Sequence, residues 1–205
     1  MDSATCLQLL KEDYDVRALT FEFAGIASSE LEAAKKVARA VGVTEHRLVR
    51  LPDLKEAQDI KVGRFEGMPP TYIPMRNGIF YFFAASYAEE VRAAVVAGGH
   101  NKDDSRLFRD VSPGFFSALQ KAFWSGSKIL EAEGTRILRP LEQMTKVRVV
   151  REAVEIGVPL HLTWSCHRDG LRHCWECPGC LSRIASFKKA GVLDPLESSM
   201  KRKIT

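Results

Sequence analysis

The spacing of apolar positions along the chain alternates between a helical period and short continuous runs. The helical period predicts helices at about Ser3 to Lys11, Ser29 to Gly42, Asn77 to Ala88, Gly114 to Trp124, Lys146 to Ile156 and Leu181 to Ala190. The apolar runs predict strands at Val16 to Phe23, His46 to Leu51, Ala93 to Gly99, Arg136 to Leu138 and His161 to Thr163. This alternation indicates an α/β fold whose open, mostly parallel sheet has helices on both faces.

Two of the helices carry more detailed signals. Ser29 and Glu32 form a capping box at the start of the second helix, and Gly42 stands where a C-terminal cap is expected. Its predicted inward face is Leu31, Ala34, Ala38 and Val41. For the helix that starts at Lys146, the predicted inward residues are Val147, Val150 and Val154.

Two long segments lack periodicity and are interpreted as functional loops. One runs from Pro52 to Pro74 and mixes proline, glycine and charge. The other, from His100 to Pro113, is polar and acidic and follows the carboxyl end of the strand that ends at Gly99. Open α/β sheets bind ligands at the carboxyl ends of their strands, so we expect site residues in this second loop.

Composition limits the broad class of the protein. The chain has 205 residues, 45% of them hydrophobic, which predicts a single domain over residues 1–205. The formal charge of +4 does not by itself indicate a nucleic-acid binder, and it is compatible with an anionic ligand such as a nucleotide. The start resembles no secretory signal, and no apolar run approaches the ~20 residues that span a bilayer. We therefore expect a cytoplasmic protein without a membrane partner.

Four of the five cysteines form a tight cluster, which comprises Cys166, Cys174, Cys177 and Cys180. Seven residues separate the first two, and two residues separate each later pair. Four soft thiolates at this spacing favour one tetrahedral zinc ion with no open coordination position, which predicts a structural metal. An iron–sulfur cluster is the main alternative, and two disulfides are the third. Cys6 lies beside Leu7 on the first helix and is predicted to be a core residue.

Several segments resemble the 7-cyano-7-deazaguanine synthase family (QueC), and the similarity spans nearly the whole chain in register. They are Tyr72 to Phe80, Pro140 to Lys146, Pro159 to Cys166, Cys174 to Arg183 and Gly191 to Pro195. The resemblance implies an adenine nucleotide alpha hydrolase-like, Rossmann-like fold that ends in a zinc knuckle at residues 164–183.

This family belongs to the ATP pyrophosphatases, whose phosphate loop reads Ser-Gly-Gly-x-Asp-Ser between the first strand and the first helix. Only its last three positions are matched here, by Met1, Asp2 and Ser3, and the chain opens on a helix. We expect the authentic protein to begin upstream with that strand and loop. A natural remnant without the loop is the alternative.

The resemblance implies a reaction. It converts 7-carboxy-7-deazaguanine and ammonia to 7-cyano-7-deazaguanine through two adenylated intermediates, with ATP as a substrate and Mg²⁺ beside it. The product is a precursor of queuosine and archaeosine. The partners are then small molecules, and nucleic acid is not expected as a direct substrate. The aromatic residues Phe80 to Phe83, Phe115, Phe116, Phe123 and Trp124 are a candidate homodimer face as well as core.

The resemblance also implies site residues. Catalysis is assigned to Arg76, Asp104 and Lys146, and ATP binding to Asp2, Ser3, Thr20 and Asn101. Substrate binding is assigned to Arg76, Asn77, Thr163, Trp164 and Arg183. Structural alternatives remain open, namely a surface lysine at Lys146, an N-cap at Asn77, a solvated acidic loop around Asp103, packing at Trp164 and a neighbouring ion pair at Arg183.

Two departures from the family pattern lie near the expected pocket. Phe23, Ala24 and Gly25 stand where the family usually has Tyr-Gly-Gln, and Val111 replaces a frequent cysteine. These departures leave the identity of the substrate open. The segment from His100 to Asp104 also resembles ATP pyrophosphatases that thiolate transfer RNA, so an enzyme of that kind is an alternative. A further alternative is a catalytically inactive, zinc-stabilised binding protein that uses the basic tail from Lys201 to Lys203.

Overall fold

The computed structural model describes residues 1–55 and 72–197. Its α-helices are α1 (Asp2–Leu10), α2 (Ser28–Val41), α3 (Arg76–Val91), α4 (Asp104–Leu107), α5 (Pro113–Gly126), α6 (Lys128–Ala132), α7 (Lys146–Glu155) and α8 (Pro178–Ala190). Its strands are β1 (Arg17–Phe23), β2 (Glu45–Leu51), β3 (Val95–Ala97) and β4 (Arg136–Leu138). Among these helices, none is both long enough and apolar enough to cross a membrane. Residues 56–71 of the predicted loop from Pro52 to Pro74, and the basic tail from Lys201 to Lys203, lie outside the described residues.

The strands form parallel ladders, which confirms the predicted α/β class. β1 pairs with β2 along its whole length, from Arg17 opposite Glu45 to Phe23 opposite Leu51. β3 pairs with β4 over three residues, centred on Val96 opposite Ile137. Within the described ranges these are two separate two-stranded ladders rather than one continuous sheet. The edges of β1 and β3 that face away from their partners line one shared cavity.

Two large apolar clusters hold the helices together, and the first of them also includes strand residues. One joins α3, β3 and α5 through residues that include Tyr81, Val96, Phe116 and Phe123. The other joins α1, α2, α7 and α8, with Ala4, Val37, Val150 and Phe187 among its members. Cys6 is 5% exposed and packs against Leu141 and Val149, as predicted for a core residue. Burial raises the pKa of its thiol to about 12.

The predicted last strand is wrong. Residues Leu160–Leu162 form a 3-10 turn, in which Leu162 N donates to Pro159 O at 2.9 Å and Thr163 N donates to Leu160 O at 3.3 Å. These local hydrogen bonds replace a ladder partner. The acidic loop after β3 is also more regular than predicted, because it contains α4 and a second 3-10 turn at Arg109–Val111.

Two details of the helices differ from the prediction. The buried residues of α7 are Val149, Val150 and Ala153, whereas Val154 is 45% exposed, because α7 packs on both α1 and α8. The Ser29 capping box is absent, since α2 begins after Ala27 without a side-chain cap from its own sequence. Gly42 does end α2 in the left-handed conformation, with a φ of 79°.

Candidate functional site

A cavity of about 770 Å³ lies between the two ladders. Its wall includes all of β3, most of β1 and residues along the length of α1, α2 and α3. Several residues implied by the family resemblance lie on this wall, namely Ser3, Thr20, Arg76, Asn77, Thr163 and Trp164. Residues far apart in the chain are thus brought together around a cavity that runs along β1 and β3 and includes Phe23 and Gly98 at their carboxyl ends, where open α/β folds bind ligands.

Gly99 lets α1 begin at the carboxyl end of β3. A Cβ atom at this position would lie 2.8 Å from both Asp2 C and Ser3 N. Such a contact is too short for any residue with a side chain, so glycine is required for the close approach. The first amides of α1 and the exposed Ser3 therefore face the cavity. Together with the helix dipole, these amides favour a bound anion.

Lys146 and Asp2 form an ion pair beside this helix start. Both side chains are mostly buried, at 24% and 21% exposed. Asp2 Oδ1 is buried and has no hydrogen-bond partner among the described residues. The pair therefore offers a cation and a free carboxylate oxygen next to the amides of α1.

Asp103 fixes the start of the helix that carries Lys146. Its Oδ2 accepts a hydrogen bond from Lys146 N at 2.9 Å, and the Thr145 side chain caps the next turn through Arg148 N. The family resemblance favoured Asn101 and Asp104 over Asp103, and sequence alone gave no signal for this contact across 43 positions. Asp103 is therefore a positioning residue that the sequence did not single out.

Asn101 and Asp104 shape the loop that presents Asp103. Asn101 N donates to Asp104 Oδ2 at 3.1 Å, and Asn101 Oδ1 accepts from Asp103 N at 2.8 Å. Burial raises the pKa of the Asp104 carboxyl, with a further contribution from the charge of Asp2. Neither residue is part of the cavity wall, and their hydrogen bonds stabilise the conformation of the loop.

Asn77 and Arg76 have different surroundings at the start of α3. The backbone and side-chain nitrogens of Asn77 both donate to Asp110 Oδ2 at 3.0 Å, and Asp110 is 7% exposed. Arg76 instead reaches the cavity wall, where its Cζ lies 5.9 Å from the centroid of the Phe23 ring. No side-chain hydrogen bond of Arg76 occurs within the described part of the chain. Asp110 thus anchors α3, a role that its place in an acidic loop did not reveal.

Arg183 is fully buried and forms an ion pair, which was the structural alternative to a role in substrate binding. Its Nε and Nη2 donate to the two carboxylate oxygens of Asp194 at 2.6 Å and 2.9 Å. Its Nη1 donates to Thr163 Oγ1 at 2.8 Å, and Thr163 Oγ1 donates to Leu160 O. All three guanidinium nitrogens thus donate to protein groups, and through one of these hydrogen bonds Arg183 holds Thr163 in place at the cavity wall.

Aromatic residues close the cavity and leave polar atoms without partners. Trp164 lies with its ring centroid 4.4 Å from that of His173. Trp164 Nε1 and Tyr81 Oη are buried and have no hydrogen-bond partner within the described ranges. Burial raises the pKa of Tyr81 and lowers the pKa of His100 to about 4, so both side chains are neutral at pH 7.

The four clustered cysteines have the geometry of a metal site. Their sulfur atoms all lie within 4.8 Å of one another, and two of the pairs are 3.9 Å apart. A tetrahedron with zinc–sulfur bonds of about 2.3 Å has edges of about 3.8 Å. All four cysteines are free thiols, which contradicts the disulfide alternative. The donor set therefore fits a single tetrahedral metal ion.

Backbone amides around the cluster point at the sulfurs. His167 N donates to Cys177 Sγ, Arg168 N to Cys166 Sγ and Glu176 N to Cys174 Sγ, each at 3.4 Å. Burial opposes ionisation of the thiols, yet hydrogen bonds from Glu176 N and Cys177 N, together with the neighbouring sulfurs, lower the pKa of Cys174 to about 6. Burial raises the pKa of Cys166 and Cys180. A bound cation would favour all four thiolates at once.

Comparisons with known proteins agree with the sequence resemblance. The sequence profile of a family described as queuosine biosynthesis protein QueC matches residues 1–191. A 7-cyano-7-deazaguanine synthase of Acetivibrio thermocellus is 35% identical over 206 residues, which cover 96% of this chain and 93% of the relative. Synthases of the same name from Thermoplasma acidophilum and Oceanobacillus iheyensis are 34% and 36% identical and also cover 96% of this chain, with 87% and 93% of their own lengths matched. The profile match includes every residue of the cavity wall and of the cysteine cluster.

Proposed function

This chain belongs to the QueC family of queuosine biosynthesis proteins, and from that premise we propose that it is an ATP-dependent 7-cyano-7-deazaguanine synthase. In this proposal residues 1–205 form one catalytic unit that joins 7-carboxy-7-deazaguanine with ammonia and then dehydrates the amide. The cavity beside the Asp2–Lys146 pair is the observation that carries the proposal. Ser3, the neighbour of Asp2 in the chain, and Arg76 both line this cavity, which supports one site for the phosphates and for the substrate carboxylate.

The triphosphate of ATP is assigned to the start of α1. Ser3 and the first amides of this nine-residue helix donate to the phosphates, with Thr20 and Asn101 completing the nucleotide site. Lys146 supplies positive charge where negative charge develops on the α-phosphate. Magnesium accompanies ATP, and the buried Asp2 Oδ1 is the protein oxygen that suits it. Asp104, whose carboxyl interacts electrostatically with both Asp2 and Lys146, supports this arrangement.

The deazaguanine is assigned to the opposite wall. Arg76, whose guanidinium makes no side-chain hydrogen bond within the described residues and lies 5.9 Å from the Phe23 ring centroid, forms paired hydrogen bonds with the substrate carboxylate. Trp164 stacks on the bicyclic base, and Asn77 and Thr163 on the same cavity wall read its polar edge. This placement points the carboxylate toward the α-phosphate held by Lys146.

The two chemical stages then use the same groups. A carboxylate oxygen attacks the α-phosphorus and pyrophosphate leaves, after which ammonia displaces AMP and gives the amide. The amide oxygen attacks the α-phosphorus of a second ATP and pyrophosphate leaves, and loss of AMP together with both protons of the amide nitrogen then gives the nitrile. Aromatic side chains around the cavity, including Phe80 and Tyr81, limit hydrolysis of each adenylate by excluding water.

The metal is proposed to be zinc with a structural role. Four thiolates leave no coordination position for water, so the ion contributes to folding rather than to bond making. Thr163 and Trp164 lie three and two residues before the first ligand, Cys166. The metal therefore fixes the wall on which these two substrate-binding residues lie.

Incubation of the purified protein with ATP, Mg²⁺, ammonium and 7-carboxy-7-deazaguanine tests the function. Mass spectrometry should detect the nitrile, and two AMP molecules should be released for each nitrile formed. No nitrile should form without ammonium. Release of AMP only with transfer RNA and a sulfur donor would support the thiolation alternative instead. A protein that binds zinc but releases no AMP with either substrate set would contradict both enzymes and favour a binding protein.

A further inference from the structure

The loop between the first two cysteine ligands reaches across the molecule to the start of α2. Asp169 Oδ1 accepts hydrogen bonds from Ser28 Oγ at 2.9 Å and from Ser29 N at 3.0 Å. Ser29 Oγ donates to Gly170 O at 2.9 Å and accepts from Gly170 N at 3.0 Å. These four hydrogen bonds, here called the clasp, join segments about 140 positions apart in the chain.

The clasp provides the hydrogen-bond acceptor that the residues at the start of α2 do not provide themselves. Ala27, the residue before the helix, has no side chain that can accept a hydrogen bond from the first turn. The first amides of a helix need acceptors, and a carboxylate near them also interacts favourably with the helix dipole. Asp169 therefore replaces a local N-cap with a carboxylate from the metal-binding segment.

The clasped helix is part of the cavity wall. α2 contributes Glu30, Ala33, Ala34, Val37 and Ala38 to the lining. Glu30 lies directly after Ser29 and interacts electrostatically with Arg76 of the cavity wall and with His167 of the cysteine segment. A shift at the first turn of α2 would therefore move a charged group at the mouth of the site.

The position of Asp169 depends in turn on the metal ligands. It lies between Cys166 and Cys174, three residues after the first and five before the second. Gly170 has a φ of 150°, a conformation that allows the chain to turn at the clasp. A metal that ties both ends of this segment restricts where Asp169 stands, because metal binding orders the ligand loop.

We infer that Asp169 is a positioning residue that couples metal binding at the four cysteines to the placement of α2 at the cavity wall. The functional meaning of this coupling rests on the proposed synthase activity, since the wall is that of its substrate site. The coupling itself does not rest on that activity, because metal occupancy and the hydrogen-exchange protection of the helix can be measured without substrates. By linkage, the metal stabilises the first turn of α2, and the clasped turn strengthens metal binding by the same factor.

Hydrogen exchange of residues 29–32 tests the coupling. The exchange is measured in the zinc-loaded protein and after zinc removal by a chelator, with zinc content determined by mass spectrometry. In the unmodified protein zinc should slow exchange of this turn roughly fivefold, as expected for a helix cap. In Asp169→Ala zinc should still bind, but the zinc-dependent protection should disappear.

Three further variants separate positioning from general damage. Asp169→Asn keeps a side-chain acceptor and should restore most of the protection. Ser28→Ala leaves the cysteine segment intact and should lose part of the protection. Arg172→Ala changes an exposed residue of the same segment and should behave like the unmodified protein.

The inference is overturned if Asp169→Ala and Ser28→Ala both retain the full zinc-dependent protection. It is also overturned if Arg172→Ala loses as much protection as Asp169→Ala, or if Asp169→Asn gives no rescue. None of these outcomes depends on nitrile formation. Failure of the clasp and failure of the proposed function are therefore distinguished by separate measurements.

Discussion

Lys146 forms an ion pair with Asp2, a residue 144 positions earlier in the chain. The same lysine is held through its backbone nitrogen by Asp103, so both ends of the residue are fixed by acidic side chains. A free surface lysine would have neither contact. The pair stands next to the amides of α1, where a phosphate would add a second anion to the lysine.

Replacing Lys146 by methionine keeps most of the side-chain stem and removes its charge. If Lys146 stabilises charge on the α-phosphate, the rate of AMP release with saturating substrates should fall by about 10²–10³-fold. Steady-state kinetics with the purified variant measures this loss. Lys188→Met, in the exposed last turn of α8, is the matched control and should keep full activity. An active Lys146→Met enzyme would rule out the assigned role.

Asp103→Ala removes the acceptor for the first amide of α7. We expect a loss of about 1 kcal/mol in the free energy of unfolding, the usual contribution of a helix cap, together with a lower kcat. Asp103→Asn retains an acceptor and should recover most of both. Urea denaturation and steady-state kinetics measure the two effects, and Asp53→Ala, at an exposed site, is the control. Equal defects in the alanine and asparagine variants would argue against a capping role.

Arg183→Met leaves Asp194 without its partner inside the protein. Breaking a buried ion pair by removing one member typically costs about 3–5 kcal/mol of stability. Arg50→Met breaks an exposed pair with Glu22, in which the arginine side chain is 77% exposed, and should cost about 1 kcal/mol or less. Chemical denaturation compares the two variants. Similar losses in both would show that the buried pair has no special importance.

His100 gives the stability a defined pH dependence. Its pKa is about 4 in the folded protein, because burial disfavours the charged ring, and about 6.5 in an unfolded chain. The folded state therefore binds this proton less readily, and its contribution is complete above pH 6.5 and is lost as the pH falls toward 4. The expected loss over this window is about 3 kcal/mol, at about 1.4 kcal/mol per pKa unit.

His100→Phe keeps the ring contacts with Tyr81 and Phe116 and removes the titrating group. Its free energy of unfolding should depend less steeply on pH between 4 and 6.5 than that of the unmodified protein. Urea denaturation at several pH values gives the slopes. His161→Phe changes an exposed histidine and should leave the slope unchanged. Equal slopes for the unmodified protein and His100→Phe would contradict the prediction.

Gly179→Ala tests how tightly α8 packs on the cysteine segment. The added Cβ would lie 2.1 Å from Ser165 O, so either the helix start or the segment must move. Since Cys177 and Cys180 flank this position, zinc affinity should fall, as measured by competition with a chelator. Gly126→Ala is the control, because no atom lies within 4 Å of its added Cβ. Unchanged zinc affinity in Gly179→Ala would show that the packing can relax without disturbing the ligands.

Features with a local signature were predictable. The strand from Arg136 to Leu138 has the predicted bounds, and the four cysteines lie close together because their ligand spacing in the sequence already allows one metal site. The glycine after α2 also takes the left-handed conformation expected of a C-terminal cap. In each case the determining residues are near neighbours in the chain.

Features that depend on distant partners were not predictable. Ser29 and Glu32 match a local capping box, but a carboxylate from the cysteine segment takes the position of the cap. The anchoring of Asn77 by Asp110 joins residues 33 positions apart, which sequence periodicity does not reveal. The apolar run from His161 to Thr163 is too short to distinguish a strand from a turn. Each error reflects tertiary contacts that local propensity does not contain.

The clasp between Asp169 and α2 has a consequence for biogenesis. During translation the first turn of α2 leaves the ribosome long before its acceptor has been synthesised, since the two lie about 140 residues apart. A nascent chain therefore carries this turn uncapped until the cysteine segment has emerged and gathered its metal. Under the coupling inferred above, the cavity wall is complete only after the cysteine segment has been synthesised and has bound its metal.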